Sequence, residues 1–108
     1  MRTKILWIRD EYLALILQGR KTVEVRVAYA NIARLEPGDR LLLNDIHPFV
    51  IRRVGRYADF GELLQNEDPA SVAPELSLDA LLPALRALYP RDKERLGVVA
   101  LEIEPERP

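Results

Sequence analysis

The chain has no cysteine among its 108 residues. That absence excludes a disulfide framework, thiol catalysis and every thiolate-held metal. A single histidine, His47, excludes any multi-histidine metal site. Neutral polar side chains are scarce: Ser, Thr, Asn and Gln together number nine, against eight prolines. No apolar run approaches the ~20 residues that a membrane-spanning helix needs. Met1, Arg2 and Lys4 are not followed by an apolar signal core. A soluble, cytoplasmic chain without a membrane partner is the expectation. Lysine is rare as well, with three residues (Lys4, Lys21 and Lys93) beside thirteen arginines. Arginine cannot give up its proton, so a lysine kept in such a chain marks a place where an amine is useful.

What is present is ordinary globular material, 48% hydrophobic and 31% charged. A chain of this size buries roughly 60–70% of its unfolded surface. One domain spanning residues 1–108 follows. The net charge of −1 conceals a division. Met1 to Arg56 holds eleven basic and six acidic residues, whereas Tyr57 to Pro108 holds five basic and eleven acidic. The division predicts either a basic face that could meet phosphate or strands from both halves that interleave.

Thr3 to Arg9 reads as a first strand. Asp10 is then placed to cap a helix that Gly19 ends, where a positive φ is cheap. Thr22 to Val27 alternates strictly. Val23, Val25 and Val27 fall on a core face, and Thr22, Glu24 and Arg26 on the other. Glu36-Pro37-Gly38-Asp39 is a turn. Arg40 to Asn44 and Phe49 to Tyr57 are strands, with His47-Pro48 as the connection and a bend expected at Gly55. Asp59 to Asn66 is a short helix, Glu67 to Glu75 a loop, and Ser77 to about Tyr89 a helix strained at Pro83. Val98 to Glu104 is the last strand. The pattern gives an α+β fold in which about three helices flank a small, mostly antiparallel sheet or barrel.

The densest polar cluster is Gly19-Arg20-Lys21-Thr22-Val23-Glu24-Val25-Arg26. Glu24 and Arg26 share a strand face about 6.5–7 Å apart, close enough to pair or to clamp one ligand jointly. A nucleic-acid ligand needs cations for phosphate, a carboxylate for amino groups and an aromatic surface for stacking. Lys21 and Arg26 supply the first and Glu24 the second. Among Trp7, Tyr29, Tyr57 and Tyr89, the rim position of Tyr57 favours it as the platform. Arg9, ending the first strand, is the phosphate candidate. No spacing of Asp39, Asp45 and Glu24 demands a metal, and no cofactor is implied.

Gly19-x-Lys21-Thr22-x-Glu24-x-Arg26, Pro37-Gly38-Asp39, Tyr57-x-x-Phe60-x-Glu62-Leu63-Leu64, Leu88-Tyr89-Pro90 and Gly97-Val98-Val99-Ala100 together resemble an ASCH domain. The resemblance runs from about Thr3 to Glu104. It implies a small PUA-like β-barrel flanked by helices, with a cleft that takes a base or a short RNA segment along the Lys-Thr-x-Glu-x-Arg motif. RNA, or a nucleoside or nucleotide, is the implied partner. One branch of the family deacetylates N4-acetylcytidine with a lysine, a threonine and a glutamate. Lys21 stands at the matching lysine, Glu24 replaces the threonine with Thr22 two residues earlier, and Glu75 lies near the glutamate. The alternatives to RNA binding are therefore an amidohydrolase of modified nucleosides using Lys21, Glu24 and Glu75, and a protein-interaction or regulatory domain, with ribonuclease activity further behind. In the binding reading Lys21→Arg keeps the fold and much of the affinity.

Overall fold

A computed structural model describes residues 1–107. Five strands form one sheet in the order β1-β3-β4-β5-β2. They are β1 (Thr3–Leu6), β2 (Val23–Val27), β3 (Arg40–Leu43), β4 (His47–Tyr57) and β5 (Val98–Pro105). β1 runs parallel to β3, and the other three pairings are antiparallel. The sheet curls into a half-barrel with three main helices, α1 (Asp10–Leu17), α3 (Phe60–Asn66) and α5 (Leu78–Ala87). Two single turns, α2 (Ala30–Ala33) and α4 (Pro69–Val72), and a short 3-10 helix at Glu94–Leu96 complete it.

Both faces of the sheet are covered, and β5 shows why. Val99, Leu101 and Ile103 join one apolar cluster with Leu41, Leu43, Phe49 and Ile51. Val98 and Ala100 join another with Val23, Val25, Val27, Phe60, Leu63, Leu81 and Leu85. A strand whose alternate side chains both meet protein is apolar on both sides. The core face expected for Val23, Val25 and Val27 is the observed one.

Two local devices place the functional residues. α1 ends in a complete Schellman motif: the Gly19 N–H donates to Ile16 O and the Arg20 N–H to Leu15 O, both at 3.0 Å. Gly19 takes φ 76° there, the left-handed conformation in which a Cβ is disfavoured. The Lys21 N–H also reaches Leu15 O, so the reversal delivers Lys21 at a fixed point. The second device is a bulge in β4 between Ile51 and Arg53. It reverses the strand's parity, turning Arg53, Gly55 and Tyr57 toward the face opposite Ile51. The irregularity therefore sits at Arg52 rather than at Gly55.

Other boundaries differ from the sequence reading. β1 stops at Leu6, and Asp10 is the first residue of α1, which has no side-chain cap. His47 and Pro48 belong to β4, because the tight turn is made by Asn44 and Asp45 at positive φ. The stretch from Glu67 to Glu75 contains α4, capped by Asp68, which accepts from the Ala70 N–H. Pro83 lies within α5 without ending it. Among the described residues no helix is long and apolar enough to cross a membrane.

Candidate functional site

β1 and β2 are the two edges of the sheet and do not pair. Across the gap between them the Arg26 Nη2 donates to the Trp7 carbonyl at 2.8 Å. Beside this bridge lies a cavity of about 300 Å³, lined by the segment that follows β1 and by α1, β2, α4 and α5. That volume is at the lower end of those that hold small organic ligands.

Glu24 is the centre of its polar wall. The residue is 7% exposed, and its carboxylate is held from both sides. Arg26 donates through Nε at 2.8 Å and Nη2 lies 2.7 Å from the same Glu24 Oε2. Lys21 Nζ lies 3.3 Å from Oε1. The pairing of Glu24 with Arg26 that their shared strand face predicted is the observed one. Lys21 is 5% exposed, and its Nζ donates to Val23 O at 2.6 Å and Val72 O at 2.7 Å. Two backbone carbonyls hold the amine by hydrogen bonds, with the Glu24 carboxylate beside it as its ion-pair partner. Lys21 thus ties α4 to the start of β2 and holds Glu24 in place.

The apolar wall is Ile8, Val25, Leu81, Leu85 and Tyr89. Tyr89 is wedged between Phe60, at 5.9 Å between ring centroids, and Tyr29, at 6.5 Å. Burial pushes its phenol above the ordinary range. At the rim, Trp7 is 67% exposed and Arg9 is exposed with no ion pair among the described residues.

Of the residues named from sequence, the cavity gathers Arg9, Lys21, Glu24 and Arg26. Thr22, Tyr57 and Glu75 are not in its lining. The Thr22 backbone joins Ser71 O and the Ile103 N–H, stitching α4 and β5 to β2. Glu75 is exposed beyond α4. Tyr57 turns instead to Glu67, donating its hydroxyl to that carboxylate. Arg53 grips the same carboxylate in a fork, through Nη1 at 2.9 Å and Nη2 at 2.6 Å. Gly55 is what lets these groups meet. A Cβ there would stand 2.7 Å from Glu67 Oε2 and 2.8 Å from the Tyr57 hydroxyl. The aromatic residues that do reach the cavity are Trp7, Tyr12 and Tyr89. Sequence offered Trp7 and Tyr89 as candidates without ground to rank them above Tyr57, and missed Tyr12, whose helical spacing reads as core.

No group of three or more metal-ligating side chains converges among the described residues. Both oxygens of Asp39 are committed, accepting from the Arg2 and Glu36 amides at 2.9 Å.

A curled, edge-gapped sheet with helices on its faces and a cavity at the gap defines a PUA-like domain. The chain matches the ASCH domain over residues 6–107 and belongs to that family. The crystal structure of hypothetical protein PH0355 is similar at a TM-score of 0.89 and 28% identity, over 98% of this chain and 100% of that one. The solution structure of protein PF0455 from Pyrococcus furiosus is similar at 0.79 and 28% identity, with 100% of both chains covered. No functionally curated protein matches.

Proposed function

We propose that the cavity beside β2 holds a base of single-stranded RNA or of a free nucleoside. The observation that carries this reading is Glu24: a carboxylate set in a small, partly apolar cavity with Lys21 and Arg26 fixing both its oxygens. A fixed carboxylate accepts from amino groups of bases. The exposed Trp7 at the rim offers a stacking face, and Arg9 beside it a cation for phosphate. ASCH domains are generally associated with RNA binding, which points the same way.

Binding is favoured over amidohydrolysis by two features. The Lys21 amine is buried and committed to the Val23 and Val72 carbonyls, with Glu24 beside it. Glu75, the partner that a lysine–glutamate mechanism needs, is outside the cavity lining. A ligand that binds only the folded state raises the melting temperature. A panel of nucleosides and short single-stranded RNAs is expected to raise it, and N4-acetylcytidine is expected to remain intact. Turnover of that nucleoside by wild type, lost in Lys21→Gln, would overturn the binding reading. Lys21→Arg is no longer the conservative test, because a guanidinium does not fit among the three close acceptors of a buried amine.

A further inference from the structure

The hydrogen-bond parity of β2 leaves one backbone residue open at the cavity. The register pairs Val23 with Glu102, Val25 with Ala100 and Val27 with Val98. Just outside the strand, the Ile103 N–H donates to Thr22 O at 3.0 Å and the Ala28 N–H to Gly97 O at 2.9 Å. In an antiparallel ladder, bonded and non-bonded pairs alternate. Even-numbered residues of this stretch therefore face β5, and Val23, Val25 and Val27 turn their amides and carbonyls to the free edge. Two of those three carbonyls are taken. Val23 O accepts from Lys21 Nζ at 2.6 Å, and Val27 O from the Tyr29 N–H at 2.9 Å. Val25, which lines the cavity and is buried, has no such partner for its N–H or its C=O. A buried backbone pair without a partner is uncommon and is met by a ligand or by water.

Resting on the reading of the cavity as a base site, we infer that the Val25 N–H and C=O read the hydrogen-bonding edge of that base. One residue's amide and carbonyl, side by side at a strand edge, form a donor next to an acceptor. The complement is an acceptor beside an N–H: ring N3 and the amino group in cytosine, ring N1 and the amino group in adenine, and O6 and N1–H in guanine. Glu24 adds a second acceptor on the same wall. It selects bases with an exocyclic amino group, whose extra N–H it takes. Uracil has no amino group and would turn a carbonyl toward the carboxylate. An added peptide strand is the other ligand that such an edge attracts. The Arg26–Trp7 bridge and the volume of about 300 Å³ leave room for one ring rather than a strand.

The test has a ligand arm and a protein arm. With wild type, cytidine, adenosine and guanosine are expected to bind at least tenfold tighter than uridine. The base-edge methylated forms 3-methylcytidine, 1-methyladenosine and 1-methylguanosine are expected to lose at least tenfold against their parents. Val25→Pro deletes the free N–H without costing a ladder bond, since that N–H faces away from β5. It is expected to bind at least tenfold more weakly with a cooperative melt retained. Should Val25→Pro not fold, the methylated nucleosides decide. Methylated and parent nucleosides binding equally well would overturn the role of Val25 and leave the base site standing. Failure of every nucleoside and short RNA to bind wild type would overturn both.

Discussion

Glu67 is 7% exposed and meets three partners: the Arg53 fork, the Tyr57 hydroxyl and the close face of Gly55. The Arg53 guanidinium, followed by the Tyr57 hydroxyl, holds its carboxyl below the usual carboxylate range against the opposing effect of burial. The same contact pushes the Tyr57 phenol up. Because the folded state binds the Glu67 proton less readily than the unfolded chain, stability from this group is complete above about pH 4.3. It is lost as pH falls through the lower folded value. Glu67→Gln is expected to cost about 1–3 kcal/mol at neutral pH, since Arg53 keeps access to water. Stability measured by urea titration from pH 6 to pH 3 is expected to fall less in the variant than in wild type. An equal acid slope in both would remove Glu67 as a source of the pH dependence. The site residues differ from this cluster in legibility. Glu24 and Arg26 were readable because strand periodicity puts them on one face. Glu67 was not, because its partners lie ten and fourteen residues away and reach it only through a bulge.

Among the elements, the junction from α1 to β2 matters most for the site. Gly19 has nothing within 4 Å of an added Cβ, so crowding does not restrict it. Its φ does. Gly19→Ala is expected to cost about 1–2 kcal/mol, the penalty for an L-residue in the left-handed region. Thermal denaturation checks the loss, and Gly19→Asn is expected to recover part of it, since asparagine tolerates that conformation. Recovery is what separates a backbone requirement from a packing one. α4 is the element that sequence concealed. Its single turn delivers Val72 O to Lys21 Nζ at 2.7 Å, a contact across 51 residues that local propensity does not encode.

On the scale of the whole molecule, the division between a basic first half and an acidic second half is largely resolved by pairing. Arg40 meets Glu106, Arg52 meets Glu104 and Arg53 meets Glu67 and Glu102. The halves interleave in the sheet: Arg52–Glu104 and Arg53–Glu102 cancel across the adjacent β4 and β5, while Arg40–Glu106 and Arg53–Glu67 join residues outside that pair of strands. Arg26, likewise, is spent on Glu24 and Trp7. That leaves Arg9 as the cation at the cavity rim without an ion pair among the described residues. RNA affinity is expected to decline with salt. Arg9→Ala is expected to reduce the slope of log affinity against log salt by about 0.7, the contribution of one phosphate on a single strand. Arg26→Ala is expected to weaken binding by loosening the β1–β2 bridge while leaving that slope nearly unchanged. A larger slope change in Arg26→Ala than in Arg9→Ala would move the phosphate contact to Arg26.

The alternation of Thr22 to Val27, the glycine after α1 and the apolar run of β5 determined the strand faces, the helix end and the α+β class by themselves. Each depends on backbone geometry within a few residues. Tertiary structure decided which free groups share the cavity: Lys21 saturated by α4, Trp7 drawn to the rim by Arg26, Tyr57 diverted to Glu67, and Val25 left open between two occupied neighbours. Those outcomes depend on strand order, on a one-residue bulge and on ladder parity. All three join residues far apart in the chain through contacts that exist only once the sheet has curled.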